Sequence, residues 1–120
     1  QIAVIYDVGA CLDTLEQVKQ LSATWFVPAH AEATQDIAPL AQYNIDKTRE
    51  VAETILTFCA EPIGFEALLQ KLFTAYGLTM DFSQYVLVGS TVRSYLAWLK
   101  DQGALSVDFT TRIPLWHRVG

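Results

Sequence analysis

The sequence predicts a mostly α chain with a small β component, closing in a winged-helix-like module from about Pro62 to Gly120. Three observations carry that expectation. Glycines at 77, 89 and 103 punctuate the last sixty residues into short helical stretches. Two β-favouring runs, Ala104 to Thr110 and Ile113 to Val119, close the chain and meet across Thr111-Arg112 as a hairpin. Glu61-Pro62 breaks the pattern that precedes them, because the residue before a proline is pushed out of the α region.

In chain order, Ile2 to Tyr6 is an apolar run suited to a strand. Leu12, Leu15, Val18 and Leu21 then recur at three-residue spacing among polar residues, which predicts a helix ending near Ser22. Thr24-Trp25-Phe26-Val27 is β-rich and is stopped by Pro28, so it reads as a short strand. Asp36 is placed as a helix N-cap with Pro39 in the first turn, where a missing N–H costs nothing. The helix it opens runs to about Phe58, with Leu40, Tyr43, Asn44, Lys47, Val51, Ile55 and Phe58 as its inward stripe. Beyond Pro62, a helix carries Phe65, Leu68, Leu69, Leu72 and Phe73 and stops at Gly77. Asp81 caps a short helix that Gly89 interrupts. Ser90 caps a third, with Val92, Tyr95, Leu96 and Leu99 inside and Gly103 as the stop. The module's expected core is Phe65, Leu68, Leu72, Leu96, Leu99, Leu105 and Trp116.

Composition divides the chain the same way. Residues 1–61 hold nine acids against three bases, and residues 62–120 hold four against five, so the two parts carry −6 and +1. A net charge of −5 argues against a protein whose main partner is a polyanion, since phosphate binding leans on Lys and Arg. More than half the residues are hydrophobic, which is ample for a core and excludes wholesale disorder. The two cysteines, Cys11 and Cys59, form no CxxC and no disulfide framework, which points to a reducing, cytoplasmic setting. No run is apolar enough to span a membrane. The chain opens with Gln1 directly into an apolar run and reads as a fragment of a longer protein.

His30 is the residue best placed for chemistry. It follows Trp25-Phe26-Val27-Pro28-Ala29, so a strand running into Pro-small-His sets an imidazole on a rigid support. Metal ligation needs that fixed orientation; without it, His30 is an ordinary loop histidine. This stretch resembles the last metal-binding motif of the metallo-β-lactamase-fold hydrolases, an apolar strand followed by Pro-Gly-His-Gly, with Ala29 and Ala31 standing where that family has glycines. The order that follows, a long helix and then a small winged-helix-like domain, is also similar to members of that superfamily. The family's principal His-x-His-x-Asp-His signature is absent from these 120 residues. Asp7, which follows Tyr6 rather than Gly, is assigned to the turn before the first helix and not to a bridging carboxylate.

The resemblance implies that residues 1–61 are the C-terminal remnant of an αββα metallo-β-lactamase domain and that 62–120 is its appended module. In the intact protein His30 would help hold zinc or another divalent metal, whose bound water supplies hydroxide. One imidazole does not make a site, so neither catalytic residues nor a metal are expected for the fragment alone. Its expected partners are the missing catalytic domain and a second copy of the chain. Self-association is expected through the apolar runs at 2–5 and 25–27, which the parent's sheet would otherwise cover. The alternative is a winged-helix DNA-binding or protein-interaction module. The exposed set expected on its recognition helix, Thr91, Arg93, Ser94, Lys100, Asp101 and Gln102, is thin for that purpose, even with Arg112 and Arg118 added from the wing. His117 lacks a partner at ligand spacing, and the cysteines read as small hydrophobes.

Overall fold

The computed structural model describes residues 7–24 and 31–120, with side chains described outside 21–24 and 31–37. They form four helices and a three-stranded antiparallel sheet: α1 (Val8–Thr24), α2 (Ala31–Phe58), β1 (Ile63–Gly64), α3 (Phe65–Ala75), α4 (Phe82–Asp101), β2 (Leu105–Asp108) and β3 (Leu115–Arg118). The protein is therefore mostly helical with a small sheet, as expected. The strands expected at 2–6 and 25–27, and the association surface built on them, lie outside the described residues. Thr24, read as the start of the second strand, is the last residue of α1.

The described residues divide into two compact units, one of residues 8–50 and one of residues 51–120 together with Asp7. In the first, Val8, Leu12, Ala41 and Ile45 are buried. Lys19 reaches from α1 to the Gln42 amide oxygen of α2 at 2.5 Å, and Gln42 passes its own N–H to Asp46 at 2.8 Å. Helix α2 begins at Ala31, not at Asp36. Asp36 is thus no cap, and Pro39 sits inside the helix rather than in its first turn. The inward stripe also differs. Leu40 and Tyr43 are 60% and 59% exposed, while Ala41, Ile45, Thr48, Ala52, Ile55, Leu56 and Cys59 are buried beside Val51. Two large side chains drew the sequence reading off by one or two positions; the true stripe uses alanine and a threonine whose hydroxyl is satisfied by the Asn44 carbonyl at 2.8 Å.

In the second unit the last turns of α2 lead through Pro62 into β1, a strand of two residues that the sequence reading lacks. Ile63 pairs with Trp116 and Gly64 with Leu115. The hairpin pairs as expected, Leu105 opposite Arg118 through Asp108 opposite Leu115, but its strands are shorter than the two β-favouring runs and are joined by residues 109–114 rather than across Thr111-Arg112 alone; β3 lies in the middle of the order β1-β3-β2. Further backbone bonds tie the hairpin down, from Arg118 to the Cys59 carbonyl at 2.8 Å and from Val119 to Ala104 at 2.9 Å.

Gly77 and Gly103 end their helices as predicted. Both have positive φ, 62° and 79°. Each completes a pair of reverse-turn bonds, Leu78 to Phe73 with Gly77 to Thr74, and Ala104 to Leu99 with Gly103 to Lys100. Gly89 does not interrupt anything. α4 is one helix of 20 residues, so the expected short helix and the Ser90 cap are corrected. Asp81 is the cap of the whole helix, its carboxylate accepting from the Gln84 N–H at 2.8 Å. Gly89 is buried, with its Cα hydrogens turned toward Leu69 and Phe65. Leu68, Leu72, Leu96, Leu99 and Leu105 form the core together with Leu69, Val92 and Tyr95. Phe65 and Trp116, also expected there, are only half-buried.

Candidate functional site

His30, the expected ligand in the intact parent, lies outside the described residues. Among the described residues no three His, Cys, Asp or Glu side chains gather as a metal-holding group. His117 is exposed on β3 opposite Ser106. Cys59 is fully buried, and burial pushes its thiol up to about 11, so it stays protonated and inert. Cys11 is half-buried in α1. Asp7 directly precedes α1 and is exposed. No described helix is long and apolar enough to cross a membrane.

The outward face of α4 is the surface that a recognition helix would present. Its first half is apolar: Phe82 is 82% exposed, and Tyr85, Val86 and Leu87 are also exposed. Arg93 and Lys100 are the only bases on the helix. Thr91, expected at this surface, is fully buried and donates to the Leu87 carbonyl at 3.1 Å. Tyr85 donates to a Glu66 carboxylate oxygen at 2.8 Å, and this bond raises the tyrosine's pKa by holding its proton.

The second half of α4, the start of α3 and the hairpin enclose a groove of about 880 Å³. Phe65, Leu96, Ala97 and Trp116 line it, and the hairpin loop contributes Phe109 and Ile113, which are 71% and 61% exposed. Gly64 lets the loop come this close, because a Cβ there would stand 3.0 Å from Ile113 Cγ2. The loop itself is braced by the Thr110 N–H on Asp108 at 2.8 Å, which holds that carboxyl below its ordinary range, and by the Thr111 hydroxyl on the Ile113 carbonyl. The Arg93 guanidinium lies over the Phe65 ring, 4.0 Å from its centroid. Sequence reading named Phe65, Arg93, Lys100 and Trp116 singly, as core or exposed residues. It missed their convergence, because the half-buried aromatics were assigned to the core and β1, which carries Gly64 under the loop, had no period to reveal it. No family model, no curated protein and no solved structure matches this chain.

Proposed function

We propose that this chain is the C-terminal segment of a zinc-class hydrolase of the metallo-β-lactamase superfamily, carrying a winged helix that serves packing, cleft shaping or dimerisation rather than catalysis. In this reading residues 51–58, β1, α3, α4, β2 and β3 are the helix, strand, two helices and wing of the module, and the sheet order β1-β3-β2 supports it. His30 would serve as one metal ligand in the intact parent, on the strength of the Pro28-Ala29-His30 stretch.

The observation that carries a packing role is the face of α4. A helix that reads DNA needs bases and amides outward; this one turns out Phe82, Val86 and Leu87 and holds two bases. Such a surface suits a protein partner, either the catalytic domain or a second copy. The parent's class is tested on the longer chain: bound zinc is expected, and His30→Ala should lower both metal content and hydrolysis. A longer chain that binds no metal, or one indifferent to His30→Ala, refutes it. Mobility shift on mixed duplex DNA tests the alternative, and salt-sensitive binding would favour a DNA-binding module.

A further inference from the structure

We infer that the α1–α2 unit pairs with the same unit of a second copy of this chain, two helices from each closing a four-helix bundle across a two-fold axis. This goes beyond the reading above and does not rest on it. The size of the unit is the first ground. Residues 8–50 are compact by themselves, and among the described residues α1 and the first part of α2 are their only elements. Two helices side by side bury one stripe each, here Val8 and Leu12 on α1 and Ala41, Ile45 and Thr48 on α2. A unit of about 40 residues seldom stands on so small a core without a disulfide, a metal or association. Its cysteine, Cys11, is free, and no metal-holding group gathers among the described residues. Association is the remaining means, and the partner present wherever the chain is present is the chain itself.

Charge selects the surface. The link 25–30 is short, so α1 and α2 are antiparallel neighbours, and their two seams are chemically opposite. Along one, Glu16, Lys19, Gln42 and Asp46 are joined by an ion pair and two hydrogen bonds. Right-handed helices packed antiparallel turn matching flanks to the same side, so the remaining flanks meet along the second seam. There α1 places Cys11, Leu15 and Val18 at i, i+4 and i+7, all half-buried. On α2, Leu40 and Tyr43 follow at i and i+3 and are 60% and 59% exposed in the whole chain. Asp13, Glu16 and Asp46 lie away from this seam by the same periodicity. Lys47, its one described base, is held by Glu50 of its own helix at 3.4 Å. A chain of net charge −5 repels its own copies wherever acids face acids. The second seam is where two copies meet with apolar groups and no opposed carboxylates, as a self-complementary two-fold contact requires. A basic partner would instead take the acidic side.

The test is sedimentation equilibrium of the 120-residue chain over a wide concentration range. A reversible dimer at micromolar concentration is expected, and raised salt should leave it unchanged or tighten it, since the seam carries no attraction between charges. Leu40→Glu and Tyr43→Glu each set a carboxylate against the partner's apolar seam and should weaken the dimer about tenfold or more. Both positions are exposed and glutamate is a good helix former, so the helical circular dichroism signal of the monomer should be unchanged. Phe82→Glu, on the exposed face of α4, should leave the equilibrium as it is. The inference is overturned if the chain stays monomeric throughout, if the dimer weakens with salt, or if it survives both seam variants. It is likewise overturned if Phe82→Glu dissolves the dimer and the seam variants do not, which would move the contact to α4. The class of the parent is read separately, from metal content in the longer chain.

Discussion

Single residues in this chain differ sharply in what their surroundings ask of them. Gly77 and Gly103 both stand at positive φ with open space beside them, so the demand is conformational rather than steric. Replacing either by alanine forces a Cβ into the left-handed region, at about 1–2 kcal/mol. A urea midpoint lowered accordingly is the expected outcome for Gly77→Ala. Gly89 is the opposite case. It has helical backbone, and a Cβ there would meet Leu69 Cδ2 at 3.8 Å and Phe65 Cζ at 3.9 Å, ordinary contact distances. Gly89→Ala should therefore stabilise by about 0.5–1 kcal/mol, since alanine removes backbone entropy from the unfolded chain without a clash. Loss of stability in that variant would mean that α4 is broken at this point after all. The thiols make a further contrast. Cys59 is fully buried with its pKa pushed up to about 11, so a thiol reagent at neutral pH should label Cys11 in the native chain and Cys59 only on unfolding.

At the scale of the element, α2 invites a direct test. It runs from Ala31 to Phe58 through Pro39. A proline inside a helix lacks the N–H for the carbonyl four residues back and crowds it, at a cost of about 3 kcal/mol. Pro39→Ala should then raise stability by up to about 3 kcal/mol and increase the helical circular dichroism signal. Had the helix begun at Asp36, Pro39 would fall in its first turn and the same change would be nearly neutral. The short β1 works differently. Two residues have no propensity to speak of; Ile63 and Gly64 are strand because Trp116 and Leu115 offer them a ladder. Its glycine then leaves room for Ile113, which is how a two-residue element shapes the groove.

For the molecule as a whole, the informative boundary is that of the second compact unit, which begins at Val51 rather than at Pro62. Val51, Ala52, Ile55, Leu56 and Cys59 are all buried. At about 25 cal/mol per Å² of apolar surface, removing four or five such side chains forfeits several kcal/mol, much of what a domain of this size has. Residues 51–120 should consequently fold alone, with dispersed amide resonances and a cooperative thermal transition, whereas residues 62–120 should not. A cooperative, native-like 62–120 would show that the end of α2 is dispensable to the core.

The helical character of most of the chain, the glycine stops at 77 and 103, Asp81 as a cap and the closing hairpin were legible in the residues themselves, because each depends on local chemistry: a 3.6-residue apolar period, a left-handed C′ position, a carboxylate three residues before a free N–H, a β-favouring alternation. Where the reading departed from the molecule, a tertiary contact outweighed a local signal. Gly89 reads as a break, yet Leu69 and Phe65 pack against that turn of α4 and the helix continues. Leu40 and Tyr43 read as core, yet the burial falls on Ala41 and Ile45, one and two positions on. Thr91 reads as a polar surface residue, yet its hydroxyl finds the Leu87 carbonyl within the helix and the side chain is buried. The groove belongs wholly to this second class. Arg93 and Lys100 share a helix face by spacing alone, but Phe65 beneath the guanidinium and the loop held over Gly64 come from separate elements, which only the folded chain brings together.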